Sequence, residues 1–101
     1  MFAVRVIFKL KPGCVADFLP LMREQAKNSL SLEEACRHFD VCTDGEAPDE
    51  VFLYELYDDK AAFDYHLESR HFAEFNEASA RYVVSREIRT YSTVWSPSVS
   101  S

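Results

Sequence analysis

Apolar side chains fill every second position from Phe2 to Leu10 (Phe2, Val4, Val6, Phe8, Leu10), with Arg5 and Lys9 on the alternate positions. This is the period of a strand with one apolar face. Lys11-Pro12-Gly13 ends the run, because proline and glycine punctuate regular structure. Val15, Phe18, Leu19, Met22, Ala26 and Leu30 then recur at steps of three and four, one stripe of an amphipathic helix. Pro20 lies inside that stripe and cannot donate to the carbonyl four residues back, which predicts a kink there or a helix whose regular part starts near it.

After a turn over 31–36, Phe39 and Val41 alternate with His38, Asp40 and Cys42, a second strand over 37–43. The acidic stretch Asp44-Gly45-Glu46-Ala47-Pro48-Asp49 reads as a loop, and Val51 to Tyr57 is an apolar, aromatic run of strand length. Those two strands form a hairpin with a long loop. Asp58 or Asp59 can cap a helix carrying Ala62, Phe63, His66 and Leu67, and a further helical segment carries Phe72, Phe75, Ser79 and Tyr82. The last strand runs from about Val84 to Trp95 with poor alternation, and Ser96-Pro97-Ser98 opens a polar tail.

Strand, helix, strand, strand, helix, strand is the ferredoxin-like α+β order, βαββαβ with an antiparallel sheet. It assigns residues 1–96 to one domain and 97–101 to the tail. Helices cover one face of such a sheet, while Ala3, Ile7 and the large residues of the third strand reach the other. An apolar face of that kind calls for a partner, and two copies packed sheet to sheet give a dimeric α+β barrel.

Composition agrees with one small core. Of 101 residues 48% are hydrophobic and only two are glycine. A chain of this size buries roughly two-thirds of its unfolded surface, so association with a second copy helps it. Seventeen carboxylates against eleven Lys and Arg leave a formal net charge of −6, which repels phosphate backbones and argues against nucleic acid. Cys14, Cys36 and Cys42 are odd in number and form no C-x-x-C pair; they read as reduced thiols of a cytoplasmic protein. No stretch approaches the roughly 20 apolar residues of a membrane helix, so no membrane partner is expected.

Two polar residues sit where apolar ones belong. His66 lies beside Phe63 and Leu67 on the helical stripe facing the sheet, where a neutral imidazole serves either as an acid or base or as a locally satisfied core residue. Glu55 lies between Leu53 and Tyr57 on one strand face. A bare carboxylate there costs several kcal/mol unless paired or protonated. It is either a base or acceptor orienting His66, or half of an ion pair with Arg5, Arg86 or Arg89. His71 follows His66 at a spacing of five and His38 is on a separate strand, so no metal site is expected. Tyr54, Tyr57, Phe63 and Phe72 are candidates to line a cavity for a flat ligand, although most aromatics at such spacings are ordinary core.

Asn28 to Val41 (NSLSLEEACRHFDV), then Phe52-Leu53-Tyr54-Glu55 and Phe63-Asp64-Tyr65-His66-Leu67-Glu68-Ser69-Arg70-His71-Phe72, resemble the antibiotic biosynthesis monooxygenase family. That family has a Glu-Pro-Gly-Cys turn, an Arg-Phe-Asp-Val strand, a Tyr-Glu strand and a His-x-x-Ser/Thr-x-His/Tyr-Phe helix. Glu34-Ala35 stands where Pro-Gly is common. The resemblance implies a homodimer that oxidises a small aromatic quinol, phenol or polyketide-like substrate with O2 and no cofactor; His66 is then the catalytic base, with Glu55 or a tyrosine hydroxyl orienting it. Relatives that isomerise a phosphorylated sugar leave open an isomerase of a small carbonyl compound, and a non-catalytic ligand-binding dimer is the third possibility. A branch of the same fold that degrades haem uses an Asn on its first strand and a Trp on its second helical region. Val6 and Ile7 occupy the middle of the first strand here, and the tryptophan is Trp95, which disfavours haem.

Overall fold

The computed structural model describes residues 1–97. Strand β1 (Phe2–Leu10) leads into helix α1 (Val15–Leu32), followed by β2 (Cys36–Asp44), β3 (Ala47–Tyr57), α2 (Lys60–Leu67), α3 (Arg70–Ser79), a short 3-10 turn (Ala80–Tyr82) and β4 (Val83–Tyr91). The sheet is antiparallel in the order β2-β3-β1-β4, and this is the ferredoxin-like α+β fold. Residues 98–101 of the expected tail lie outside the described residues.

Register places the residues of one parity on the helix side. Phe39, Glu55, Val4 and Thr90 form one cross-strand row, and Val41, Leu53, Val6 and Ile88 the next. Phe8, Phe18 and Phe75 make the centre of the core there, with ring centroids 5.1 to 6.3 Å apart. Phe75 meets the other two rings edge to face, and Phe8 and Phe18 are tilted against each other, arrangements that suit their quadrupoles. The opposite row of Asp40, Tyr54, Arg5 and Arg89 faces away from the helices.

Four local expectations change. The acidic loop over 44–49 shrinks to the pair Gly45-Glu46, because β2 and β3 extend until Asp44 faces Ala47. The Asp44 carboxylate accepts from the Glu46 backbone N–H at 3.0 Å, a local bond that stabilises a tight reversal. Helix α1 begins five residues ahead of Pro20 and runs through it. Its stripe also turns: Phe18, Met22, Gln25 and Ser29 are buried, whereas Leu30 is 46% exposed. The last strand stops at Tyr91, short of Trp95.

The tight turn after β1 does require glycine. Gly13 has φ +76°, a region that side chains with a Cβ avoid, and its N–H donates to Asp49 at 3.1 Å. Helix α2 starts at Asp59, whose carboxylate accepts from Ala62 N at 2.8 Å, and α3 starts at Ser69, whose hydroxyl accepts from Phe72 N at 3.3 Å. Both are N-caps that satisfy otherwise orphaned donors. The second cap breaks the helical segment between Leu67 and Arg70, and this break shapes the site.

Candidate active site

Between the sheet and helices α2 and α3 lies a cavity of about 30 Å³, room for one or two waters. Phe39, Leu53, Glu55, Phe63, His66 and Phe72 line it, and Arg86, Ile88 and Leu67 edge it. Ile88 and Leu67 are exposed, so the cavity reaches the surface between β4 and the short helices. Of the candidates for a pocket, His66, Glu55, Phe63 and Phe72 come together here. Tyr57 supports them from the core, packed on Phe63 and His66 at centroid distances of 5.4 and 5.3 Å. Tyr54 does not join them. It follows the other parity of β3 and meets His38 on the far side of the sheet, ring centroids 5.8 Å apart.

Glu55 is buried and accepts a hydrogen bond from the Tyr57 hydroxyl at 2.6 Å. Burial, against the pull of that hydroxyl and of His66, pushes its carboxyl up to about 7. Desolvation penalises the charged form, and one neutral donor compensates only part of the loss. The expected arginine partners are engaged elsewhere: Arg5 with Glu87 at 3.3 Å, Arg86 with Asn76 at 3.3 Å, and Arg89 over the Tyr91 ring. Within the chain Glu55 therefore meets none of these arginines, and the carboxylate in contact with His66 is a different one.

That carboxylate is Glu33, buried to 4% exposure just past the end of α1. Its Oε2 lies 2.8 Å from Nδ1 of His66 and 2.7 Å from Nε2 of His71. The other ring nitrogen of His71, Nδ1, lies 2.9 Å from Oε1 of Gln25. Helix α1 thus contributes Gln25 and Glu33 at its buried end, where the Ser29 hydroxyl donates back to the Gln25 carbonyl at 2.8 Å. His66 is 3% exposed and stacked on Phe63 at an interplanar angle of 16°.

A spacing of five residues would separate two histidines on a continuous helix. Here the Ser69 cap starts a new helix, the Ser69 hydroxyl donates to the His66 carbonyl at 2.7 Å, and the two imidazoles meet with centroids 5.8 Å apart. The separation expected from spacing is overturned by that break. Glu33, His66 and His71 place ligating atoms within 4.8 Å of one another, a set able to hold a cation. Glu33 and His71 also form the floor of a wide outer groove of about 630 Å³ shared with Asn28, Glu68, Arg70 and Glu74.

Sequence reasoning missed Glu33, Gln25 and His71. The available signal was two polar residues, Gln25 and Ser29, at helical spacing from Met22 on an apolar stripe. The cysteines add no chemistry here. Burial pushes the Cys36 thiol up to about 12, and no disulfide forms among the described residues. No helix of the described residues is long and apolar enough to cross a membrane.

The profile of the antibiotic biosynthesis monooxygenase family matches residues 1–78. No curated protein gives a significant match. Among solved structures, one described as an antibiotic biosynthesis monooxygenase is 25% identical, covers 93% of this chain and 99% of its own, and superposes with a TM-score of 0.83. A conserved protein from Methanosarcina mazei is 28% identical over 93% of this chain and 95% of its own, with a TM-score of 0.80. A Mycobacterium tuberculosis protein, 19% identical over 96% of this chain and 98% of its own, shares the fold at a TM-score of 0.85. With more than three-quarters of its length matched by the family profile, this chain belongs to the antibiotic biosynthesis monooxygenase family.

Proposed function

We propose that the chain oxidises an electron-rich phenol, quinol or anthrone-like carbon acid with O2, and that His66 removes the proton which starts the reaction. The observation that carries this reading is the Glu33–His66 pair at the wall of an aromatic cavity. Glu33 engages Nδ1, which leaves Nε2 as the ring's free acceptor. A buried carboxylate on one imidazole nitrogen fixes the tautomer and orientation of a base.

The chemistry asks little else of the protein. Once deprotonated, a carbon acid of this class gives an electron to O2, and the two radicals combine into a peroxide. The proton returns from His66, and loss of water leaves a new carbonyl. One oxygen atom ends in the product and one in water. Phe63 and Phe72 hold the ring and exclude solvent, and Glu55, with a carboxyl near 7, serves as a second proton carrier on the same wall. The cavity of about 30 Å³ must widen at its Leu67–Ile88 edge to admit an aromatic substrate. Two proton carriers on one wall also suit an isomerase of a small hydroxycarbonyl compound; turnover of such a compound without oxygen uptake would select that reading.

The same proposal includes a homodimer packed through the open sheet face. Ile7, Phe52, Tyr54 and Tyr91 lie on that face, and β4 is exposed along most of its length. In this arrangement residues 1–96 act as one domain and the protein works in the cytoplasm.

Three outcomes follow. Oxygen uptake against a panel of quinols and anthrones identifies a substrate, and His66→Gln, which keeps hydrogen bonding but not the base, lowers turnover by roughly 10² to 10⁴; a folded variant at the parental rate removes His66 from this role. Glu55 binds its proton more tightly folded, at about 7, than at its ordinary 4.5. Its contribution to stability is therefore fully present below 4.5 and declines as pH rises through 7. Urea titrations should show Glu55→Gln gaining on the parent across that window, by up to about 3 kcal/mol; parallel curves would refute it. Light scattering should give twice the 11.7 kDa chain mass, and a monomer at micromolar concentration would contradict the dimer.

A further inference from the structure

We propose that Glu33, His66 and His71 form a binding site for a divalent transition-metal cation, with two imidazoles and one carboxylate at the floor of the outer groove. This goes beyond the oxygenase reading and does not depend on it.

Neighbouring groups restrict where the protons of this cluster can sit. Nδ1 of His71 faces Oε1 of Gln25 at 2.9 Å, and the tautomer that donates to this oxygen carries its hydrogen there. In a neutral ring Nε2 is then a lone pair, and it lies 2.7 Å from Glu33 Oε2. Two electron-rich atoms at that distance need a positive charge between or beside them. A proton answers poorly, because an N–H on Nε2 is not aimed at the carboxylate and Nε2 has no hydrogen-bond partner. Oε1 of Glu33 is likewise buried without one. A metal ion lies off the N···O line, where the lone pairs converge, and satisfies both groups.

Two imidazoles and a carboxylate suit zinc and its neighbours among the first-row ions rather than magnesium or calcium, which take oxygen ligands. Bonds of about 2.0 to 2.2 Å at tetrahedral angles hold ligand atoms a little over 3 Å apart, so the present contacts of 2.7 and 2.8 Å open by roughly half an ångström on loading. Gln25 already provides the outer bond that orients a metal-bound histidine. Three protein ligands leave a coordination position free, and the groove that reaches Glu33 and His71 carries Glu68 beside the Arg70–Glu74 pair.

Occupancy would change the inner cavity as well. A metal on Nδ1 of His66 displaces the hydrogen shared with Glu33 and leaves the ring's proton on Nε2. The cavity then meets a donor where the metal-free protein offers an acceptor.

The test uses the intact protein, stripped with a chelator and titrated with Co²⁺ and Zn²⁺. One equivalent of Co²⁺ per chain should bind with the visible absorption of a low-coordinate nitrogen and oxygen site, and Zn²⁺ should displace it. Glu33→Gln and His71→Asn should each weaken Co²⁺ binding by about 100-fold or more, while His38→Asn, which alters the exposed His38–Asp40 pair on β2, should leave it unchanged. Should either site variant fail to fold, anomalous scattering from zinc-loaded crystals of the parent decides, with the ion expected against Nδ1 of His66 and Nε2 of His71. No stoichiometric binding, binding lost only in His38→Asn, or an ion found elsewhere would overturn the proposal.

Discussion

The buried carboxylate of Glu33 governs this architecture. One oxygen of a 4%-exposed side chain touches two imidazoles from two different helices, at 2.8 and 2.7 Å, and thereby ties the end of α1 to the last turn of α2 and the first turn of α3. Short helices such as α2 and α3, of eight and ten residues, have little stability of their own and depend on tertiary contacts. A carboxylate taken out of water is costly unless it is paired, and removing one member of a buried pair typically costs about 3 to 5 kcal/mol. His66 thus bonds the carboxylate through Nδ1, and Glu33 in turn sets the position of that ring beside His71.

The second buried carboxylate shows what happens without such partners. Glu55 has one short bond from the Tyr57 hydroxyl and no cation in contact with it, and its carboxyl rises to about 7. Both glutamates are nearly inaccessible to water, but Glu33 faces ring nitrogens whereas Glu55 faces a phenol hydroxyl at the cavity wall.

Much of the fold was legible because it rests on periodicity. The alternation of Phe2 to Leu10 and the three-and-four steps from Val15 onward specified β1 and α1, and the βαββαβ order specified the sheet. Parity could also have excluded Tyr54 from the cavity, since it alternates with Glu55 and Tyr57 on β3. Where polar composition stood in for pairing, the reading failed: Asp44 to Asp49 looks like a loop yet supplies the ends of two strands. The site was half legible. His66 and Glu55 stood out as polar residues in apolar runs, whereas Glu33 and His71 join them only because Ser69 caps a new helix and folds the chain back by one turn. A break of that kind is held by the Ser69 hydroxyl, which donates to the His66 carbonyl and accepts from Phe72 N, and helical spacing does not reveal it.

The contact of Glu33 with Nδ1 of His66, with Nε2 left as the acceptor toward the cavity, underlies the proposed chemistry. The measurement that addresses it is the tautomeric state of His66 in metal-stripped, ¹⁵N-labelled protein, read from long-range proton–nitrogen correlations of its ring. The account predicts a neutral ring with its hydrogen on Nδ1, and loss of that preference in Glu33→Gln. A neutral His66 carrying its hydrogen on Nε2 in the metal-free parent would contradict it.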